Sequence, residues 1–300
     1  MKWFAFEVTD KCNLECEYCY NVWYENKSLP QKPLTLENII RVIKNISSDL
    51  ATTGITLTGG EPLLRSDLPE IVSICVRHKL KVAIATNGFL LTQPLIEELI
   101  AKGVEHFDIG FSTPTPEAKS AIARAARSGK TVTASVCISR TNYKNMKSII
   151  RIASAMGANA VGLNRFIPTG RGYLNKKELS LNQDELLKVL CEVNSTAKTA
   201  GIYCFTGIPI EPCIREGYDF SVIHFSTCQC GTTKWVIDPY GNLRTCEQNR
   251  GKLGNLLDDS FNDIIKAKFK EIEQFRNWKP SDSCITCSIQ ETCFGGCRFA

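Results

Sequence analysis

The sequence predicts an α/β fold with a parallel sheet, followed by a small cysteine-rich domain. Strand-like and helix-like segments alternate through the first two thirds of the 300 residues, and this alternation stops near residue 208. Turn signals dominate after that point, and eight of the 15 cysteines lie there. Short crossover helices connect parallel strands, and a small segment rich in cysteine is typically held together by metal.

Six strands are predicted, and each is followed by a helix. The strand candidates are short apolar or β-branched runs at 2–8, 55–58, 81–86, 107–111, 131–139 and 160–166. The helix candidates repeat apolar residues every three or four positions, with Thr35, Asn142 and Asn182 as predicted N-caps and Gly103 as a stop signal. Six such units form an open doubly wound sheet or an incomplete barrel. Either arrangement places ligands at the carboxyl ends of the strands.

The segment after residue 207 is predicted to be a separate unit. Residues 234–238 and 243–246, joined by Pro239-Tyr240-Gly241-Asn242, predict a β-hairpin, and 261–275 predict one helix. We therefore expect domains at 1–207 and 208–300. Interleaved metal ligands would stabilise the second, so that metal loss should unfold it.

Composition excludes several classes of protein. Hydrophobic residues make up 43% and charged residues 22%, a globular balance that argues against disorder. A net charge of +5 argues only weakly for a nucleic-acid partner. The sequence contains no long apolar span, and its first residues lack the apolar region of a signal peptide. We expect a cytoplasmic protein without membrane or nucleic-acid partners.

Three cysteines directly after the first strand indicate a metal centre. In Cys12-x3-Cys16-x2-Cys19, three thiolates share one loop and can hold three irons of a cubane cluster, leaving the fourth iron open. A buried cysteine cluster and a zinc site with a distant fourth ligand are the alternatives. Because the chain has only three histidines, ligands for a mixed zinc site are scarce and iron–sulfur chemistry is favoured.

A glycine-rich turn follows the second strand. In Gly59-Gly60-Glu61-Pro62 the glycines would let backbone groups approach a ligand, and the carboxylate could accept from an ammonium group. Plain turns have such sequences too. Coming one βα unit after the cysteine loop, this turn should lie beside it.

These motifs together resemble those of the radical S-adenosylmethionine (radical SAM) enzymes. Cys12, Cys16 and Cys19 match the CxxxCxxC signature of that family, with Tyr18 as its aromatic residue. The further matches are the GGEP turn Gly59, Gly60, Glu61 and Pro62, the third-strand Thr86-Asn87-Gly88, the fourth-strand Ser112, and the sixth-strand segment 166–171. The resemblance implies a partial (β/α)6 TIM-type barrel.

The resemblance also implies a chemistry and its site residues. S-adenosylmethionine would chelate the open iron of a 4Fe–4S cluster, and reductive cleavage would give a 5′-deoxyadenosyl radical that abstracts hydrogen from a substrate. The implied cofactor-binding residues are Tyr18, Gly59, Gly60, Glu61, Thr86, Asn87 and Ser112. Arg124 and Arg140 are candidates for binding the carboxylate of S-adenosylmethionine.

The C-terminal cysteines resemble the SPASM extension of this family, which carries auxiliary 4Fe–4S clusters. Taken alone, Cys284-x2-Cys287-x5-Cys293-x3-Cys297 fits a zinc ribbon as well. The resemblance assigns Cys228, Cys246 and Cys297 to a first auxiliary cluster, with Cys213 as fourth ligand. It assigns Cys284, Cys287 and Cys293 to a second. The remaining position of that cluster is open or held by a ligand other than cysteine, or Cys230 or Cys204 substitutes there, or the chain is truncated. One or two auxiliary clusters are therefore expected.

Other polar residues have weaker signals. Glu247 follows Cys246 and is a candidate catalytic base, because sulfatase-maturing relatives carry an acid there; an exposed glutamate is the alternative. Arg165 and Arg171 could hold an anionic substrate or be ordinary surface residues. His224 lies near the auxiliary cysteines. The remaining cysteines and histidines have predicted structural or surface roles: Cys75, Cys137, Cys191, His78 and His106.

The expected function is a radical SAM/SPASM enzyme that modifies a ribosomal peptide or protein, a peptide maturase. Small-molecule cofactor biosynthesis, such as tetrapyrrole modification, is the alternative substrate class, and a non-catalytic iron–sulfur or zinc scaffold is the alternative of another kind. The expected partners are the substrate, a flavodoxin or ferredoxin as electron donor and, for a peptide substrate, a separate leader-binding protein.

Overall fold

The computed structural model describes residues 1–21, 32–279 and 282–300. Six parallel strands are neighbours in chain order, which confirms the predicted α/β fold. These strands are β1 (Lys2–Thr9), β2 (Thr52–Gly59), β3 (Lys81–Thr86), β4 (Val104–Gly110), β5 (Thr131–Ile138) and β6 (Ala160–Arg165). Together with their crossover helices they form a partial barrel.

A helix follows each of these strands. The helices are α1 (Leu36–Ser47), α2 (Leu68–Arg77), α3 (Gln93–Lys102), α4 (Pro116–Arg127), α5 (Met146–Ala155), the short α6 (Lys176–Leu179) and α7 (Gln183–Ala200). Thr35 accepts from the backbone N–H of Asn38 and Asn182 forms a capping box with Glu185, so both predicted N-caps are confirmed. Gly103 ends α3 in the left-handed conformation, as predicted.

The third predicted N-cap is wrong. A 3-10 turn over Tyr143–Asn145 separates Asn142 from α5, and the Asn142 side chain makes no cap hydrogen bond. Its Oδ1 instead accepts from the N–H of Ser139, and its Nδ2 donates to the carbonyls of Ser112 and Cys137. This asparagine therefore joins the ends of β4 and β5.

The sheet continues beyond the six strands at both ends. β7 (Tyr203–Thr206) and β8 (Ile223–His224) extend it past β6 in parallel. At the opposite end, β9 (Lys234–Ile237) pairs in parallel with β1, followed by antiparallel β10 (Asn242–Arg244) and β11 (Gly254–Asn255). The predicted hairpin is thus present as β9–β10. Its pairing with β1 makes the C-terminal region continuous with the barrel sheet.

The helix predicted over 261–275 is two helices. α8 (Phe261–Ala267) and α9 (Phe269–Arg276) meet at Lys268, whose backbone is not helical. Phe261, at the start of α8, packs against Phe4 and Trp235, with ring centroids 5.3 and 5.5 Å apart. Two short helices, α10 (Asp282–Ile285) and α11 (Gln290–Cys293), lie in the last cysteine-rich segment.

The two faces of the strands differ in polarity. Phe4 and Phe6 of β1 and Phe107 and Ile109 of β4 are fully buried in the core under the helices. Burial of each such side chain stabilises the fold by about 1.5–3 kcal/mol. In β4 the alternate side chains His106 and Asp108 are polar and only partly buried. The helices of the described residues include none with the length and apolar character needed to span a membrane.

Candidate active site and auxiliary cysteine groups

The cysteine loop follows β1 at the carboxyl edge of the sheet. Cys12, Cys16 and Cys19 are half-buried and form no disulfide. Burial raises the pKa of Cys16, and it raises the pKa of Cys19 to about 11; in each case the neighbouring thiols of the loop add to the effect. The three thiols are therefore close enough to interact, and they are free to bind metal. Metal binding would remove their protons.

The glycine turn supports this loop directly. A Cβ built on Gly60 would overlap the Lys11 carbonyl group, and one on Gly59 would overlap that of Thr9. The Gly60 N–H donates to the Thr9 carbonyl and the Glu61 N–H donates to the Lys11 carbonyl, each at 2.8 Å. The sequence predicts that these glycines leave room for a ligand. In the structure they make room for the cysteine loop itself, which places the thiols beside the turn.

Glu61 connects the ends of two strands. Its fully buried carboxylate accepts from Thr86 Oγ1 (2.7 Å), the Asn87 N–H (2.7 Å) and the Leu63 N–H (3.0 Å). Burial raises the pKa of Glu61, against the lowering effect of these donors. The sequence predicts this carboxylate as the acceptor for an ammonium group. In the structure its oxygens accept hydrogen bonds from groups within the chain.

The other predicted cofactor-binding residues also contact the loop. Asn87 Nδ2 donates to Asn13 Oδ1 at 2.8 Å. Ser112 Oγ accepts from the Cys137 N–H at 2.9 Å and is hydrogen-bonded to Tyr18, which also contacts the Cys16 thiol. The ends of β3 and β4 therefore also hold the loop.

The segment after β6 closes over the loop. The Gly172 N–H donates to the Cys19 carbonyl at 3.0 Å, and Asn175 Nδ2 donates to that of Glu17 at 3.0 Å. Gly170, with a positive φ, lies so near Tyr20 that a Cβ would approach its carbonyl carbon to 2.6 Å. Arg171 follows Gly170, and its positive charge lowers the pKa of Cys16 and Cys19 against the effects of burial. A cation is thereby placed beside the thiols.

The other candidate arginines are engaged elsewhere. Arg124 donates to the Leu91 carbonyl, and Arg140 forms a two-bond ion pair with Glu185 at 2.8 Å. Arg165 forms a similar pair with Glu211, at 2.8 and 3.0 Å. Arg124 and Arg140 are therefore engaged by other groups of the chain. This differs from the sequence-based interpretation, in which one of them binds the carboxylate of S-adenosylmethionine.

Three C-terminal cysteines form a first auxiliary group. Cys230 is hydrogen-bonded to both Cys228 and Cys246, and its hydrogen bond lowers the pKa of Cys228 to about 6. The Sγ atoms of Cys230 and Cys246 and a carboxylate oxygen of Glu247 lie within 4.8 Å of one another. Burial raises the pKa of Cys297 to about 11, and Cys246 and Cys228 contribute to that shift. A small cleft of about 20 Å³ lies beside Cys228 and Cys230.

Cys213 lies with a different set of thiols. Its pKa is raised by burial, by Glu211, and by the thiols of Cys293 and Cys284. The sequence-based assignment placed Cys213 with Cys228 and Cys246, whereas the structure places Cys230 there. Cys204 is fully buried in β7, where its burial raises its pKa to about 12, so it is a core residue.

Glu247 is held in an ion pair. Its carboxylate lies 2.7 Å from Lys234 Nζ and is 13% exposed. Burial alone would raise the pKa of Glu247, but the Lys234 ammonium outweighs it, so the pKa lies below its usual range. The Glu247 carboxylate is therefore engaged by a lysine, and its role as a catalytic base stays a prediction.

Sequence reasoning missed Lys234 and Tyr20. Lys234 is on β9, beside the first auxiliary group. Tyr20 directly follows Cys19, and burial raises its pKa, as do the nearby charges of Glu247, Glu7 and the Cys19 thiol. Tyr20 therefore lies between the cysteine loop and the first auxiliary group. Its position next to Cys19 was the available signal.

This arrangement defines a family. The model of the Radical SAM superfamily matches residues 6–174, and that of an iron–sulfur cluster-binding domain, SPASM, matches residues 228–288. The first match covers more than half of the chain, so the chain belongs to the radical SAM superfamily. It is an enzyme of that class with a C-terminal SPASM domain, which confirms the resemblance read from its motifs.

Individual relatives cover nearly the whole chain. The PqqA peptide cyclase of Granulibacter bethesdensis is 25% identical, with 97% of this chain and 81% of that protein covered. The AdoMet-dependent heme synthase of Methanosarcina barkeri is 24% identical, over 98% and 90%. The crystal structure of Streptococcus suis SuiB bound to its precursor peptide SuiA has a TM-score of 0.75 at 15% identity, covering 98% and 71%. At that identity the SuiB likeness concerns the fold.

Proposed function

We propose that this enzyme modifies a ribosomal peptide by hydrogen abstraction. The observation that carries the radical chemistry is the set of three interacting thiols on a loop that rests on Gly59 and Gly60. The peptide substrate class is supported by relatives named as a peptide cyclase and as a protein bound to a precursor peptide.

The chain's residues fit the cofactors of the family. Cys12, Cys16 and Cys19 would bind a 4Fe–4S cluster as thiolates. Reductive cleavage of S-adenosylmethionine at such a cluster supplies the 5′-deoxyadenosyl radical that attacks the substrate. Arg171 would offset the negative charge that thiolates bring to the loop.

The residues around the loop would orient S-adenosylmethionine. Gly59 and Gly60 keep the loop against β2, and Glu61 fixes Thr86 and Asn87 at the end of β3. Tyr18 and Ser112 link the Cys16 side of the loop to the end of β4. We assign these residues to positioning, because a displacement of about 1 Å at a reacting centre can lower a rate about 100-fold.

The C-terminal region would hold auxiliary clusters. We place the domain division at residues 207 and 208, directly after β7. The auxiliary ligands would come from Cys213, Cys228, Cys246, Cys284, Cys287, Cys293 and Cys297, with Cys230 added. A flavodoxin or ferredoxin would supply electrons in the cytoplasm, and a separate protein would present the peptide leader.

The test uses the whole chain reconstituted anaerobically with iron and sulfide. With S-adenosylmethionine and dithionite it should form 5′-deoxyadenosine, measured by chromatography. Each short peptide encoded beside the gene is then added, and the expected product is that peptide with an altered mass. Absence of 5′-deoxyadenosine from iron-loaded protein contradicts the radical chemistry.

Tetrapyrrole modification is the second candidate, favoured by the similarity to an AdoMet-dependent heme synthase. Haem precursors therefore form the second arm of the same assay. A tetrapyrrole product together with unaltered peptides would replace the peptide proposal while leaving the radical chemistry in place.

A further inference from the structure

The inner face of β4 carries a carboxylate that the proposed chemistry does not use. Phe107 and Ile109 are fully buried under the helices, so Asp108 between them projects from the opposite face of the strand, into the barrel interior. Its Oδ1 atom is buried and has no hydrogen-bond partner within the described part of the chain. Buried acceptors without a donor are rare in folded proteins, and a ligand that supplies a donor fits this position.

Small residues leave space beside this carboxylate. Ala85 of β3 is paired with Asp108 in the sheet and is only partly buried. Gly110 takes the next inner position along β4, and a Cβ built on it would have no neighbour nearer than 3.7 Å. Gly110 lies beside Asn87, which donates to Asn13 of the cysteine loop. A substrate group can therefore lie against Asp108 on the side of the barrel that leads to this loop.

Two other carboxylates of this interior already have cations. Lys234 binds Glu247 at 2.7 Å. Arg244 binds Glu7 on the inner face of β1, and both of these side chains are fully buried. The Lys234 charge also acts on Asp108, but its ammonium group is held by Glu247. Asp108 therefore adds a negative charge that these pairs leave without a directly bound cation.

Side chains on the same inner face supply no cation either. His106 Nε2 lies 2.9 Å from Thr133 Oγ1, and burial lowers the pKa of His106 against the effect of Asp108, which favours the neutral ring. Burial raises the pKa of Asp108, although the Ser135 hydroxyl lowers it through a hydrogen bond. A cation bound to the carboxylate would compensate for the cost of burying its charge.

We propose that Asp108 recognises the substrate inside the barrel, where its carboxylate binds an ammonium or guanidinium group of the peptide. The inference rests on the proposed peptide-modifying function and adds that a lysine or arginine side chain enters the barrel. A carboxylate forms charge-assisted hydrogen bonds with either cation. The bound cation would fix the position of the peptide relative to the cysteine loop.

The first test measures peptide binding without radical chemistry. Random hexapeptides are incubated with the immobilised, iron-loaded whole chain and S-adenosylmethionine, without a reductant, and the retained peptides are sequenced by mass spectrometry. Asp108→Asn is compared with the parent and with Glu105→Gln, which removes a carboxylate from an exposed position of the same strand. The parent and Glu105→Gln should enrich lysine or arginine about tenfold, and Asp108→Asn should not, because a hydrogen bond to a charged group contributes about that factor.

Two results of this selection overturn the proposal. Equal enrichment by the parent and by Asp108→Asn shows that the cation binds elsewhere. A parent that enriches neither lysine nor arginine shows that the interior does not select a cation. Libraries without lysine and libraries without arginine show which of the two cations is preferred.

A second variant separates recognition from misfolding. Ala85→Val keeps the carboxylate and fills the space beside it, so it should lose the same selection. Iron content and the circular dichroism spectrum are measured for each variant. Should Asp108→Asn lose iron or change its spectrum, Ala85→Val decides the matter, and an unchanged selection by that variant contradicts the proposal.

The kinetic test uses any peptide encoded beside the gene that the parent modifies. Asp108→Asn should raise the KM for this peptide about tenfold and change kcat less. Replacement of the lysine or arginine of the peptide by glutamine should remove the difference between parent and variant. A raised KM for S-adenosylmethionine with an unchanged peptide KM would assign Asp108 to the cofactor and refute the proposal. Absence of 5′-deoxyadenosine from the parent contradicts the radical chemistry alone, since the hexapeptide selection does not require it.

Discussion

The cysteine loop and the C-terminal cysteine groups bring thiols together in different ways. Cys12, Cys16 and Cys19 lie within eight residues, and backbone contacts with Gly59, Gly60 and Gly172 hold their loop. The C-terminal thiols come from segments up to 84 residues apart, from Cys213 to Cys297. The first arrangement is fixed by the barrel. The second depends on long-range packing, which bound metal would reinforce.

The largest expected effect is the loss of one thiol from the loop. Cys16→Ala should abolish 5′-deoxyadenosine formation and remove about four irons, because a three-thiolate site loses a ligand. Chromatography and iron analysis check both, with Cys191→Ala as control. The variant should keep its C-terminal iron. A variant that still cleaves S-adenosylmethionine contradicts the assignment of Cys16.

Removal of all iron should affect the C-terminal cysteine region and the barrel differently. We expect amide hydrogen exchange in residues 211–216 and 284–297 to rise at least about tenfold, a loss of about 1.4 kcal/mol of local stability. Exchange in β4 and β5 should change little, because their buried apolar faces do not depend on metal. Mass spectrometry of exchanged peptides provides the measurement. Equal rises in both regions would mean that metal also stabilises the barrel.

Gly60→Ala tests the backbone support of the loop. The added methyl group overlaps the Lys11 carbonyl, so the loop must shift, and we expect the rate of S-adenosylmethionine cleavage to fall about 100-fold. Gly251→Ala is the control, because its Cβ would meet only the Asn249 side chain, at 3.3 Å. An unchanged rate in Gly60→Ala would show that the close approach is not needed.

The smallest expected effect concerns the ion pair of Arg65 with Asp67. Arg65 binds Asp67 at 2.7 Å and also donates to the Val8 and Leu34 carbonyls. The hydrogen bond from Arg65 lowers the pKa of Asp67, so the pair stabilises the fold above the usual carboxyl pKa and loses this effect as the pH falls through the lowered value. Asp67→Asn should cost about 0.5–1 kcal/mol at pH 7.

Urea unfolding at several pH values measures that cost. The difference between Asp67→Asn and the parent should shrink as the pH falls below the ordinary carboxyl pKa of 3.8, and it should be the same with and without iron. An iron-dependent difference would contradict the view that chain contacts alone support this side of the barrel.

Sequence predicted local features well and long-range ones poorly. Cys12, Cys16 and Cys19 and the Gly59–Gly60 turn could be found because each motif is contiguous and follows a strand. That Gly60 accommodates the Lys11 carbonyl could not, because the path of the loop depends on packing. The break at Lys268 has no glycine or proline to signal it. Pairing of β9 with β1 joins residues more than 220 positions apart, which periodicity does not reveal.

The position of Cys230 beside Cys228 and Cys246 could not be predicted for the same reason. Cys213 and Cys230 both lie in turn-rich sequence, and spacing does not tell which cluster each would serve. Glu211, two residues before Cys213, contacts Gly296 and is bound by Arg165 of β6, so the surroundings of Cys213 depend on elements distant in sequence. The ion pair of Glu247 could not be predicted from spacing either, because its partner Lys234 lies on β9.

The place of β9 in the sheet affects how the protein is made. During translation β1 emerges first and soon gains β2 as one neighbour, but its other edge stays uncovered until residues 234–237 leave the ribosome. An uncovered strand edge can pair with other chains. During this interval of synthesis, β1, which leads into the cysteine loop, is vulnerable to aggregation. Faster elongation would shorten the interval.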